Sequence, residues 1–336
     1  MNPAKTQVLE IDGGGLQITQ DTAIPHPPNS ARLLLGFWFG EAATSAGNQQ
    51  IARIGLRPIG CAAVFEGWWY HGAVEYSSRL GVRLGECEHY TAAVVQKTET
   101  DRTALRELTR QTYIELFTAL KVSRHHSVVR IWNYFGDING GKGDQERYRQ
   151  FSIGRAEAFE ELGCKDEYSP PGTAIGTVCG DTLSVLVLAS DSQFQRLENP
   201  RQLSAYDYPR QYGPRSPKFS RGGVVSISNH DLFLLSGTAA IVGHESAFPN
   251  DSKAQTSETL RNIDALLAKS PLASDPGHSD AVRVYLRNPA DYEHIAREVD
   301  GSFSSARIQL AYLQGDICRR ELLVEIDGAF CRHRSG

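Results

Sequence analysis

No apolar run in this chain approaches the length needed to span a bilayer, and the first ten residues, Met1 to Glu10, lack the apolar core of a secretory signal. An excess of either charge is missing too. With 35 basic and 39 acidic residues the net charge is only -4, so no electrostatic argument favours nucleic acid or an anionic membrane, and any site for an anionic small molecule must be local. Six cysteines, at 61, 87, 164, 179, 318 and 331, form no CxxC pair, and a chain of 336 residues needs no covalent staples. They read as reduced thiols of a cytoplasmic protein. Metal-ligand spacing is absent as well: His125 and His126 are adjacent, while His230 and His244 stand far apart.

What is present fills two domains of ordinary size. Residues 1–31, with Gly13 to Gly15 and Pro25, Pro27 and Pro28, read as an irregular lead-in holding one strand at Leu16 to Thr19. Residues 32–221 form the first domain. Strands are expected at 33–39, 51–54 and 59–65, then a helix over 101–120 with Asp101 as its N-cap, a buried strand over 127–135, a helix over 145–162 and strands at 173–178 and 183–189. Residues 222–336 form the second domain, with a helix over 253–269, strand 281–287, a helix over 290–299, strand 307–313 and a last strand over 322–327 that stops at Gly328. This order predicts an α+β fold of mixed sheets with the helices packed on one face. Helix 101–120 followed by Val128-Val129-Arg130-Ile131-Trp132 parallels helix 253–269 followed by Ala281-Val282-Arg283-Val284-Tyr285, which predicts an internal repeat.

The last strand carries the most pointed chemistry. Alternation sends Leu322, Val324 and Ile326 one way and Leu323, Glu325 and Asp327 the other, so Glu325 is a carboxylate set in apolar sequence. Burial there penalises its charged form and makes it a proton donor near neutral pH. The alternative is a strand residue whose carboxylate reaches solvent at a sheet edge. A polar stretch, 201–221, holds Tyr206, Tyr208, Arg210, Tyr212 and Arg215 among three prolines. Arginine forks suit carboxylates and phenols add donors, so this reads as a dicarboxylate-binding loop, against the plainer option of a solvated surface loop. Gly136, Gly141 and Lys142 imitate the start of a P-loop, but Gly143 stands where Ser or Thr should hold magnesium, so the segment reads as a turn.

Two resemblances sharpen these expectations. Residues 224–328 resemble the RidA (YjgF) fold through Leu235-Ser236-Gly237, Gln255, Leu260-Arg261-Asn262-Ile263, Val282-Arg283-Val284-Tyr285-Leu286, Ala306-Arg307 and Val324-Glu325-Ile326. That implies a RidA/YjgF-like second domain with a related first one, a substrate carboxylate on Arg307, and proton or water handling by Glu325. The interval between those two residues is longer than in simple RidA proteins. More specifically, the chain from about 130 to 328 resembles the chorismatases. The segments that carry this are Val129 to Tyr134, Arg147 to Arg155, Glu198 to Gln202, Tyr208 to Pro217, Ser236-Gly237-Thr238-Ala239, Gly243-His244-Glu245-Ser246 and Cys318-Arg319 through Glu325.

The resemblance implies cleavage of chorismate to pyruvate and a ring product, with no metal or organic cofactor. Chorismate has two carboxylates, which suit Arg210, Tyr212 and Arg215. Its enol ether needs a proton at the methylene carbon, for which a protonated Glu325 is a fit donor. Gly237, Ala239 and Cys318 are implied to border the substrate. Cys318 is similar to the branch that forms 3-hydroxybenzoate and Ala239 to the hydrolysing branch, so the first expectation is a hydroxybenzoate synthase giving the 3-isomer, the 4-isomer or both. A hydrolase releasing a dihydroxycyclohexadiene carboxylate is the alternative. Imine or enamine deamination with Arg307 and Glu325, or metabolite binding without catalysis, are the readings from other classes. A homotrimer, as in RidA proteins, stands open beside burial of the same surfaces within one chain.

Overall fold

The computed structural model describes residues 15–27, 30–41, 50–164, 169–192, 194–227, 230–270, 280–303 and 308–333. It opens with β1 (Leu16–Asp21), β2 (Arg32–Gly40), β3 (Ile51–Ile54), the short β4 (Arg57–Pro58) and β5 (Ala63–Tyr70). A first repeat follows: β6 (Glu75–Arg79), β7 (Val82–Glu86), β8 (Tyr90–Thr98), α1 (Leu105–Lys121), β9 (Ser127–Gly136), α2 (Arg147–Glu161), β10 (Gly172–Thr177) and β11 (Thr182–Ser190). The second repeat is β12 (Phe194–Leu197), β13 (Gly222–Ile227), β14 (His230–Ala239), the small hairpin β15 (Ile241–Val242) and β16 (Glu245–Ser246), α3 (Ser252–Leu267), β17 (Asp280–Leu286), α4 (Tyr292–Ser302), β18 (Ile308–Gln314), β19 (Asp316–Ile317) and β20 (Val324–His333).

The repeat is visible in the sheet orders. One seven-stranded sheet runs β19-β10-β9-β11-β8-β7-β6 and the other β4-β18-β17-β20-β14-β13-β12, so strand for strand they share one connectivity. In each, two parallel strands joined through a helix lie beside a final strand that slips between them and a three-stranded meander. The outermost strand of each sheet comes from outside its own repeat: β19 pairs with β10, and β4 with β18. Helices α1 and α2 pack on one sheet and α3 and α4 on the other, each through its own apolar cluster. The opposite sheet faces, together with the four-stranded sheet β1-β5-β2-β3, close on a shared core containing Phe37, Trp68, Val94, Trp132, Leu186, Leu234 and Leu313. That core is what brings the two repeats into contact. Among the described residues, no helix is long and apolar enough to cross a membrane.

Local chemistry explains where elements depart from expectation. Asp101 does not cap α1: its carboxylate accepts from the Thr103 N–H and hydroxyl, closing a turn, and the helix begins at Leu105. Gly328 does not end β20. A Cβ there would meet the Ala281 carbonyl oxygen at 2.9 Å, so glycine marks a close approach of strands, and buried Ala329, Phe330 and Cys331 carry β20 on to His333. The strand expected at 59–65 begins only at Ala63 and runs on without a break through Trp68-Trp69-Tyr70 as one strand, β5, while residues 59–62 form a bend before it. The 137–143 segment is a turn whose Asn139 and Gly141 carbonyls face the Arg320 guanidinium, the wrong polarity for a phosphate cradle.

Candidate active site

Strand β20 lies between β14 and β17, and alternation puts Val324 and Ile326 into the apolar cluster under α3 and α4. Glu325 and Asp327 therefore point the other way, toward the first repeat. Asp327 is fully buried and Glu325 is 4% exposed. Opposite them β14 is irregular: Leu235 pairs with Gly328 and Thr238 with Ile326, so Ser236 and Gly237 together face one residue, Asp327. This bulge clears a space. A Cβ on Gly237 would collide with Oε1 of Glu325, so only glycine admits the carboxyl.

The bulge also fastens the two repeats. Ser236 Oγ accepts from the Gly172 N–H (2.9 Å) and donates to the Ser220 carbonyl (2.6 Å). The Gly237 N–H donates to Thr173 Oγ1 (3.1 Å), and that hydroxyl donates to Asp327 Oδ2 (2.7 Å). Below lies a buried charge network. Arg130 from β9 donates to Asp327 (2.9 Å) and to Thr173 Oγ1 (2.6 Å), and Arg283 from β17 sits 3.4 Å from Asp327 and 3.2 Å from Glu66 of β5. In β11, which holds in the first repeat the place of β20, the residues opposite Trp132 and Arg130 are Leu186 and Leu188. Only one of the two corresponding strands carries the acids.

Above this floor is a pocket of about 230 Å³, the scale of a small metabolite. Helix α2 supplies Tyr148, Arg149 and Arg155, and the turn before β20 supplies Cys318 and Arg319. The 201–221 loop closes it with Tyr208, Tyr212, Phe219 and Arg221. Arg319 is held in place: its guanidinium lies 3.8 Å from the Tyr212 ring centre and 5.1 Å from that of Tyr208, while it donates to the His244 carbonyl (2.8 Å) and Ser246 Oγ (3.1 Å). Tyr212 Oη and His244 Nδ1 share a hydrogen bond of 3.2 Å. Arg155, 6% exposed, stacks over Phe151.

Titration follows from this burial. Desolvation, then the charge of Asp327, push the Glu325 carboxyl up to about 8, against a smaller opposing pull from Arg130. The protonated form is therefore favoured near neutral pH. Burial and the neighbouring Glu325 push the Cys318 thiol up to about 12, so it stays neutral and acts as a small pocket wall. Burial and the facing Cys318 likewise raise the Tyr148 phenol.

Of the residues singled out in the sequence, Glu325, Gly237, Ala239, Cys318 and Tyr212 line this pocket. Ala239 stands opposite Glu325 in the β14–β20 register. Arg210 and Arg215 lie outside the lining. The Arg210–Tyr212 stretch is a tight 3-10 turn that sends Tyr212 inward and Arg210 outward, where it pairs with Asp144 at 2.6 Å, and Arg215 pairs with Glu160 at 2.9 Å. Both pin the loop to the α2 region. Arg307 falls outside the described residues. Arg155, Arg319, Tyr148 and Thr173 were not singled out. The first three sit in segments that carry the family resemblance, whereas Thr173 has no local signal.

A family model described as Chorismatase FkbO/Hyg5-like, N-terminal, matches residues 66–189. A 3-hydroxybenzoate synthase of Streptomyces hygroscopicus is 34% identical over 275 residues, covering 78% of this chain and 80% of that protein. A chorismatase of Streptomyces rapamycinicus is 33% identical over 273 residues, covering 78% of this chain and 81% of that protein. A chorismatase crystal structure matches with a TM-score of 0.81 at 26% identity, covering 96% of this chain and all of that one.

Proposed function

The chain belongs to the chorismatase family and is an enzyme acting on chorismate, and from that premise we propose that it cleaves the enol-pyruvyl ether to pyruvate and a hydroxybenzoate, with Glu325 as proton donor. The observation that carries this reading is a carboxyl buried at the floor of a pocket whose walls bear arginines, where desolvation favours its protonated form. Arg319, fixed between two tyrosines, and Arg155, fixed on Phe151, hold the two substrate carboxylates. Tyr212 adds a phenol. Glu325 then delivers its proton to the methylene carbon and the enol ether becomes an oxocarbenium ion. The neighbouring ring hydroxyl displaces it at the ring carbon that bears the ether, and the epoxide so formed opens with loss of a ring proton to give the hydroxybenzoate; in the hydrolytic reading water adds to the oxocarbenium carbon and the hemiketal collapses to pyruvate and the diene acid. Breakage of the ring ether bond releases pyruvate, and the charge left on Glu325 is stabilised by Arg130 until a proton returns.

Ala239 and Cys318 flank Glu325 and narrow the pocket where the ring sits, so they select the 3- or 4-hydroxybenzoate isomer. Small Ala239 also favours a second reading, hydrolysis to the diene acid. The lining among the described residues comes from both repeats of one chain, which supports a pocket built without a trimer. The setting of this reaction is the cytoplasm, in keeping with six free cysteines. Incubation of the protein with chorismate, with products resolved by chromatography and mass, tests the reading. Pyruvate with a hydroxybenzoate is expected, the diene acid would select the hydrolase, and unchanged chorismate with folded protein would refute both.

A further inference from the structure

Glu325 does not stand alone on its strand face. Two residues on, Asp327 is fully buried, and its carboxylate on β20 is shared among groups from three other strands: Arg130 on β9, Thr173 on β10, and Arg283 and Tyr285 on β17. Thr173 is saturated. Its hydroxyl accepts from Arg130 and from the Gly237 N–H and donates to Asp327. Gly237 is the one residue whose lack of a side chain admits the Glu325 carboxyl. A continuous path therefore runs from Asp327 through the Thr173 hydroxyl to the backbone under the reacting group. None of these contacts is needed merely to join β14 to β20, which the strand ladder already does on both sides of the bulge.

We propose that Asp327 is a positioning residue for the reaction, acting through Thr173 on the Gly237 floor and through its fixed negative charge on the proton held by Glu325. The inference rests on Glu325 being the donor. The strand of Glu325 itself presents Asp327, β9 presents Arg130 and β17 presents Tyr285 and Arg283; the start of α2 presents Glu146, and α2 itself Tyr148 with Arg155 further along the wall; the preceding turn presents Cys318, Arg319, Arg320 and Glu321. Strands β10 and β14 offer no charged group there, only Gly172, Thr173, Ala174, Gly237 and Ala239. Of the acids around the pocket, Asp327 is the one whose charge acts on Glu325. Removing it makes ionisation of Glu325 easier and also leaves Arg130 unopposed, and both effects lower the pH at which the donor form is lost.

The test is the pH dependence of kcat/KM for pyruvate release from chorismate by the full chain, for wild type and Asp327→Asn. An alkaline decline is expected in wild type, and in Asp327→Asn it moves down by about one pH unit or more. A decline that stays in place while activity is scaled equally at every pH would show a merely structural role and overturn the inference. Because Asp327→Asn leaves two buried arginines short of a partner and can fail to fold, Thr173→Val and Thr173→Ser form a second arm with the ion pairs intact. Valine is expected to lower kcat on the acid plateau by roughly tenfold with KM nearly unchanged, and serine, which keeps the hydroxyl, to restore it. Full activity in Thr173→Val, or no rescue by serine, overturns the path. Failure of the donor reading itself looks different: wild type would show no alkaline decline, and Glu325→Gln would retain pyruvate release.

Discussion

Replacing Glu325 with glutamine removes a titration while keeping the shape of the protonated side chain. In the unfolded chain this carboxyl loses its proton near 4.5, and in the folded protein it holds on to about 8. Between those values the folded state binds more protons than the unfolded one, so the contribution to stability is full below 4.5 and is lost as pH rises through 8. Glutamine, neutral throughout, escapes that loss. Relative to wild type, Glu325→Gln should gain about 1 kcal/mol at pH 5, about 3 at pH 7 and about 5 at pH 9. Urea unfolding of both proteins at the three pH values reads this directly. The same substitution should cost at least about a hundredfold in kcat for pyruvate release, because a glutamine amide cannot act as a general acid. A stability difference that does not change with pH would refute the reasoning, since it would mean that the pocket does not hold the proton on Glu325.

Three further outcomes follow from the geometry. Gly237→Ala should fold but lose roughly a hundredfold in kcat, because the new methyl displaces the Glu325 carboxyl, and pyruvate release with circular dichroism as a fold check measures both. Arg319→Lys should raise KM for chorismate by roughly tenfold or more with a smaller effect on kcat, since an ammonium cannot keep both the stacking on Tyr212 and the paired hydrogen bonds. Arg210→Ala combined with Arg215→Ala should leave the unfolding midpoint nearly unchanged, as exposed ion pairs contribute little, while cleavage within 205–217 by a protease becomes severalfold faster.

Much of this was legible from local pattern. Period-two alternation over Val324 to Asp327 put Glu325 on the face opposite the helices, although Leu322 precedes the strand and packs with Ala239, Ile241 and Ile317 instead, and the helix-strand parallel between the halves foretold the shared connectivity of the two sheets. The meander β6-β7-β8 was missed, because β6 is a wholly exposed edge strand without apolar alternation. Gly328 misled because a glycine that lets two backbones close up looks, in sequence, like one that ends a strand. The arginines of the pocket were harder. Arg210 and Arg215 stand in the stiff loop that covers it, and only the sense of the turn at 210–212 decides that tyrosine faces in and arginine out. Thr173 gives no sign at all, since its partners are 64 and 154 residues away.

The duplicated frame also fixes how the site comes into being. Glu325 is contributed by one repeat and Thr173, Tyr148 and Arg155 by the other, yet a single backbone joins them. Their meeting is a first-order event, so specific activity should be independent of enzyme concentration, with no dilution at which the pocket falls apart. Because the Leu186–Leu188 face of β11 has no acids to keep in register, mutational drift there is limited by packing alone, whereas each change on the Glu325–Asp327 face meets a charge, a hydroxyl and a glycine at once. One strand of the corresponding pair is thereby free to serve as scaffold while its counterpart bears the proton donor.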